Sequence, residues 1–233
     1  MNIAEKTLQL KQDFDDVYEA GKKAEYDAFW DALQNFGKRT NYANGFYNQA
    51  WTEDNFRPKY DIKPVNAGSM FRGDEATITD LEATLQKAGV VLDTSNCTTF
   101  NNGIRYTSFR VLPIIDVSKA TNSSALVTPF SYQLVTLRKL ISSAETFWVT
   151  STFQGLPALE HLIVEGVIGT NGFNVQWSTK LTHDSLMSII NALQDKTGDT
   201  SGTAWVVTIG ATNKAKLTDD ELAIAYEKGW EVQ

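Results

Sequence analysis

Cysteine, histidine and proline are scarce in this 233-residue chain, which holds one cysteine, two histidines and five prolines. The single thiol, Cys97, excludes an intramolecular disulfide framework and a cysteine-based zinc site. His161 and His183 leave little material for a histidine metal cluster. A net charge of −7 and a pI near 4.9 argue against nucleic acid or an anionic membrane as partner. No apolar run approaches the roughly 20 residues that cross a bilayer, so membrane insertion is not expected. The opening MNIAEKTLQLKQDFDD lacks a signal-peptide core and carries acids almost at once. Such a chain is expected to be made in the cytoplasm and to leave, if at all, by lysis or within a particle.

What is present is enough to fold. Hydrophobic residues make up 42% and charged residues 21%, and a chain of this length buries roughly 70–75% of its unfolded surface. Charge divides it into four zones. Residues 1–36 carry eight acids and four bases, residues 37–69 come to +2, residues 70–181 to −1, and residues 182–233 return to −4. In the third zone 25 of 112 positions are Ser or Thr.

Residues 1–36 read as one long helix serving oligomerisation or attachment. Ile3, Leu10, Val17 and Ala24 recur every seven residues, with Thr7, Phe14, Gly21 and Ala28 interleaved, a heptad seam imperfect at Thr7 and Gly21. Self-association, as a trimer, would use Ile3, Leu10, Phe14 and Val17; the alternative is an amphipathic helix packed on its own domain. Residues 37–69, with Tyr42, Phe46, Tyr47, Trp51, Phe56 and Tyr60 but no sustained period, are expected to form an extended, aromatic-anchored strap.

In residues 70–181, Leu112, Leu137, Leu159 and Leu181 are spaced by 25, 22 and 22 residues. Leu137-Arg-Lys-Leu140-Ile141 and Leu159-Glu-His-Leu162-Ile163-Val164 read alike, and Phe100, Phe130, Phe153 and Phe173 mark the Ser/Thr-rich connectors. A short Leu-x-x-Leu strand at this period is the pattern of a leucine-rich solenoid whose units bury a shared core. The threonines suit extended segments. Residues 182–233 read as a cap: a helix after Thr182 over residues 183–195, a strand at 204–209, and a second helix opened by the capping box Thr218-Asp-Asp-Glu221. The expected fold is therefore α+β, a short leucine-rich-repeat solenoid with a long N-terminal helix and a C-terminal helix–strand–helix cap.

The units at 109–181 resemble leucine-rich repeats of the BspA type, found in proteins of gut clostridial bacteria and their phages. The ending, Leu181-Thr182 to Leu193, Thr208-Ile-Gly210, Lys216-Leu-Thr-Asp-Asp-Glu221 and Lys228-Gly-Trp230, looks like the unit that closes many short phage-encoded repeat proteins. The opening from Ala4 to Gly21 resembles the helical start of the same group, although the usual isoleucine-glycine-alanine-phenylalanine turn of the repeats is missing. The resemblance implies a solenoid for binding or assembly and no catalytic residues.

No catalytic constellation stands against that. Cys97, in Ser95-Asn96-Cys97-Thr98, reads as a buried structural thiol. Asp219, Asp220 and Glu221 fit a helix N-terminus better than a cation site. Asp13, Asp15 and Asp16 lack the rest of a calcium loop. Gly166, Gly169 and Gly172 lack the Gly-Lys-Ser/Thr of a phosphate loop. The candidate binding surface is the outward strand face, where Arg138, Lys139, Glu160 and His161 should lie side by side, together with Trp148 and Trp177, which could stack on sugar rings. The sequence thus points to a non-enzymatic virion protein that needs no cofactor. It would bind itself, other virion proteins, and a host-surface glycan or protein. A bacterial surface adhesin and an intracellular scaffold are the alternatives.

Overall fold

The computed structural model describes residue 16 and residues 19–25, 27–28, 41–47, 49–73 and 77–233. The chain divides into two compact units, Met1–Arg39 and Thr40–Gln233. In the first, the described residues are helical. Ile3, Leu10, Phe14 and Val17, the expected oligomerisation seam, lie outside the described residues.

In the second unit the architecture is α+β. Helix α1, Leu81–Ala88, is started by the Asp80 carboxylate, which accepts from the Ala83 N–H at 2.9 Å, and stopped by Gly89 at φ 73°. Strands β1 (Val111–Asp116), β2 (Thr136–Ser142) and β3 (His161–Gly166) form a parallel sheet in that order. Helix α2, His183–Ala192, follows, started by Thr182. Strand β4 (Trp205–Val207), the single turn α3 (Ala211–Lys214), helix α4 (Asp219–Glu227) and strand β5 (Trp230–Val232) complete the chain, with β4 and β5 paired in parallel.

The inward leucines Leu112, Leu137, Leu140, Leu159, Leu162 and Leu181 are all buried. Beside them runs a spine of buried rings. Phe46 stacks on Phe71 at 4.8 Å and Phe71 meets Phe109 at 5.7 Å, while a second run joins Phe130, Phe153 and Phe173 at 5.7 and 5.1 Å. Offset and edge-to-face rings of this kind add to what their burial already contributes. Of the aromatic residues in the expected strap, Tyr42, Phe46, Trp51 and Phe56 are buried in this core, whereas Tyr47 and Tyr60 are exposed.

The leucine-rich solenoid with a long N-terminal helix is not what forms. The helices from residue 81 onward are short, the sheets have three and two strands, and among the described residues there is no long N-terminal helix. Two physical reasons stand out. First, the spacing between paired residues is not constant: Thr136 and His161 are 25 apart, Ile62 and Leu92 30, and Asn174 and Thr208 34. Without a fixed period there is no repeating unit to stack. Second, helix α2, expected after Thr182, closes the sheet after its third strand. Ser185 and Ser188 of α2 accept the Leu162 and Val164 N–H groups at 3.0 and 3.1 Å, and donate to the Glu160 and Leu162 carbonyls. Two hydroxyls thereby satisfy the β3 edge and end the sheet.

The Ser/Thr content of the middle zone also finds its place, in turns more than in strands. Thr146 donates to Val117 O, Thr152 to Leu126 O, Ser143 to Ser118 O and Ser142 to Val167 O, each across 25 to 29 residues of sequence. Hydroxyls thus tie successive layers at a strand end and in the turns.

Candidate functional site

The outward strand face is largely neutralised from within. Arg138 pairs with Glu82 of α1, and Lys139 with Glu165 of β3. Glu160 lies 3.8 Å from Lys180. The four expected neighbours do not form one cluster, because the register sets His161 opposite Thr136 and leaves Ile163 facing the Arg138–Lys139 step. His161 is exposed. Beside this face Val91 and Ile114 border an apolar groove of about 180 Å³.

Trp148 does not stand ready for a sugar. It is buried at 2% exposure against Phe153 and Phe173, because the turn that carries it is covered by the next layer. Trp177 is exposed at 40%.

Cys97 is buried and donates to the Thr99 carbonyl at 3.2 Å, and burial pushes its thiol above the ordinary value. A thiol held protonated this way is a poor nucleophile. His183 lies 2.7 Å from Glu221, joining the first turns of α2 and α4. No group of three or more His, Cys, Asp or Glu residues among those described is placed to hold a metal ion.

A different surface emerges where the layered turns meet solvent. The stacking Phe46 N–H to Met70 O, Phe71 N–H to Gly103 O, Gly73 N–H to Arg105 O and Ile104 N–H to Pro129 O brings Tyr47, Arg72, Arg105, Tyr106 and Tyr132 into one row. Arg72 packs 5.9 Å from the Tyr47 ring and 5.5 Å from the Tyr106 ring. Arg105 lies 4.5 Å over Tyr106 and donates to Tyr132 Oη and Asn102 Oδ1, both at 3.2 Å. The hydrogen bond from Arg105 holds the Tyr132 phenol below its ordinary value. Tyr106 and Tyr132 lie 5.8 Å apart at 58°, and all three tyrosines remain exposed.

Between the last two rings opens a cleft of about 200 Å³, lined by Tyr106, Thr107, Ser108, Ser131, Tyr132 and Gln133. The arginines are held by aromatic faces and neutral acceptors. Among the described residues no carboxylate pairs with Arg105, whereas Arg138 and Lys139 on the strand face each have one. Sequence reading missed this row because its members lie in turns 25 to 33 residues apart and follow no common motif. The one available signal was three Tyr residues, each next in sequence to a residue that the core buries: Phe46, Thr107 and Ser131.

No family model, curated protein or solved structure matches this chain.

Proposed function

We propose that this chain is a non-enzymatic attachment protein of a phage particle, and that it holds a host-surface glycan through the Tyr47–Arg72–Tyr106–Arg105–Tyr132 row. The observation that carries the reading is the row itself: exposed aromatic plates alternating with guanidinium groups beside a polar cleft. Aromatic faces pack against the C–H surfaces of sugar rings, and arginine and tyrosine are the side chains that anchor binding surfaces most often. A rigid support sharpens such a site, since the row stands on buried phenylalanines and hydrogen-bonded turns that need not be ordered on binding. The resemblance of the two ends of the sequence to phage-encoded repeat proteins supplies the setting.

The test has two parts. Mass spectrometry of particles purified from the producing culture should find the chain together with capsid and tail proteins. Fluorescently labelled full chain should adsorb to washed host cells, and polysaccharide extracted from those cells should compete. Presence only on cells would turn the reading toward an adhesin, presence only in the cytosol toward a scaffold, and adsorption that polysaccharide leaves untouched would remove the glycan.

A further inference from the structure

We propose that the Tyr106–Tyr132 cleft takes a single sugar ring carrying an anionic substituent, a carboxylate or a phosphate, which the Arg105 guanidinium reads. This deepens the glycan reading above and rests on it.

Size sets the first limit. About 200 Å³ is too small for a drug-sized ligand or a peptide segment and suits one six-membered ring. Shape sets the second. Rings tilted by 58° at 5.8 Å form an open V rather than a slot, so a puckered ring with C–H groups on its faces fits better than a flat base, which needs parallel plates. Hydrogen bonding sets the third. Ser131 and Thr107 spend their hydroxyls on Thr107 O and Ile104 O. The partly exposed Ser108 and the exposed Gln133 make no hydrogen bond to any described residue, which leaves both for ligand hydroxyls.

Charge decides the class. Arg105 Nη1 and Nη2 each hold one neutral acceptor, Asn102 Oδ1 and Tyr132 Oη. A guanidinium has five N–H donors, so further donors remain for an anion, and hydrogen bonds to an ionised group are roughly twice as strong as neutral ones. In a chain of net charge −7, a cation without a carboxylate partner beside a cleft gives an anionic ligand a local attraction against the sign of the overall charge. The long-range field of that net charge opposes nucleic acid, which would bring many phosphates at once.

A matched series of one ring isolates the charge: galactose, galacturonate and galactose 6-phosphate differ only at C6. Each is titrated into the full chain and followed by amide NMR shifts. The expected result is that both charged sugars shift residues around Arg105, Ser108 and Tyr132, with dissociation constants at least about tenfold below that of galactose. Arg105→Gln should bring all three to the galactose value. Arg105→Lys, which keeps the charge but loses the fork, should restore only part of the preference. Preference for carboxylate over phosphate, or the reverse, assigns the substituent.

Equal binding of the three sugars would overturn the anionic class while the glycan reading stands. A charge preference that survives in Arg105→Gln, or shifts confined to the strand face, would overturn the site. If none of the three binds while labelled chain still adsorbs to cells, the inference fails and the attachment reading does not. If adsorption also fails, both fail. Thermal melting of Arg105→Gln and Arg105→Lys at the wild-type temperature confirms that each loss is local.

Discussion

Gly166 shows how a single position can be set by a residue far away in sequence. It sits at φ 93°, and an added Cβ would stand 2.1 Å from the Ser142 carbonyl oxygen, one layer below. Gly169 and Gly172 approach Ala144 O and Trp148 O in the same way, both at 2.4 Å. The sequence showed only that these glycines are no phosphate loop; the need for them lies in backbone more than 20 residues upstream. Gly166→Ala should therefore destabilise the fold by about 1–3 kcal/mol, since backbone rather than a flexible side chain must move. Chemical denaturation checks this, and a midpoint equal to wild type would show that the layers are looser than described. Cys97, His161 and His183 carry the opposite expectation. Replacing all three by alanine should leave adsorption to cells intact, because none touches the tyrosine row, and a lost activity would overturn the non-enzymatic reading.

At the scale of elements, local chemistry was the most legible part of the sequence. Thr218 accepts from the Glu221 N–H, and the Glu221 carboxylate accepts from the Thr218 N–H at 2.8 Å, the reciprocal pair written in Thr-x-x-Glu. Thr218→Ala should cost about 1 kcal/mol in denaturation experiments. Glu221 also carries a pH signature. Its carboxyl is held below the ordinary 4.5, first by the backbone hydrogen bond from Thr218 and then by His183. A carboxyl depressed on folding contributes stability that is present above its unfolded value and disappears as pH falls through the lower folded value. The melting temperatures of wild type and Glu221→Ala should thus differ at pH 7, and the difference should shrink as pH falls below the ordinary 4.5. A gap that stays constant down to pH 3 would contradict the assignment.

What the sequence hid at this scale was how the expected helix joins the sheet. Thr182 opens that helix, and its Ser185 and Ser188 take the place of strand backbone. Periodicity sees leucines and is blind to which hydroxyl completes an edge. Ser185→Ala leaves the Leu162 N–H without its partner in a buried setting, for an expected loss of about 1–3 kcal/mol. Amide exchange at Leu162 should accelerate in that variant; unchanged protection would mean another acceptor takes over.

For the whole molecule, the spaced leucines are buried, with Leu112 and Leu137 inside β1 and β2 and Leu159 two residues before β3, but the step from a period to a solenoid did not hold. Pair offsets that range from 24 to 34 residues, and a sheet closed by a helix, give a layered α+β unit instead. The same irregular layering produces the tyrosine row, because a turn that rises one layer without a strand leaves its exposed side chains aligned across distant sequence. Function was therefore expected on the strand face, where motifs repeat, while Arg105, with neutral partners only among the described residues, and the open rings lie on the turns. One comparison separates the two surfaces. Adsorption of the labelled full chain to washed host cells is measured for Tyr106→Ala with Tyr132→Ala, and for Arg138→Ala with Lys139→Ala. The turn-row pair should lose at least about tenfold in affinity and the strand-face pair should match wild type. The reverse pattern would contradict the account and return the binding surface to the strands.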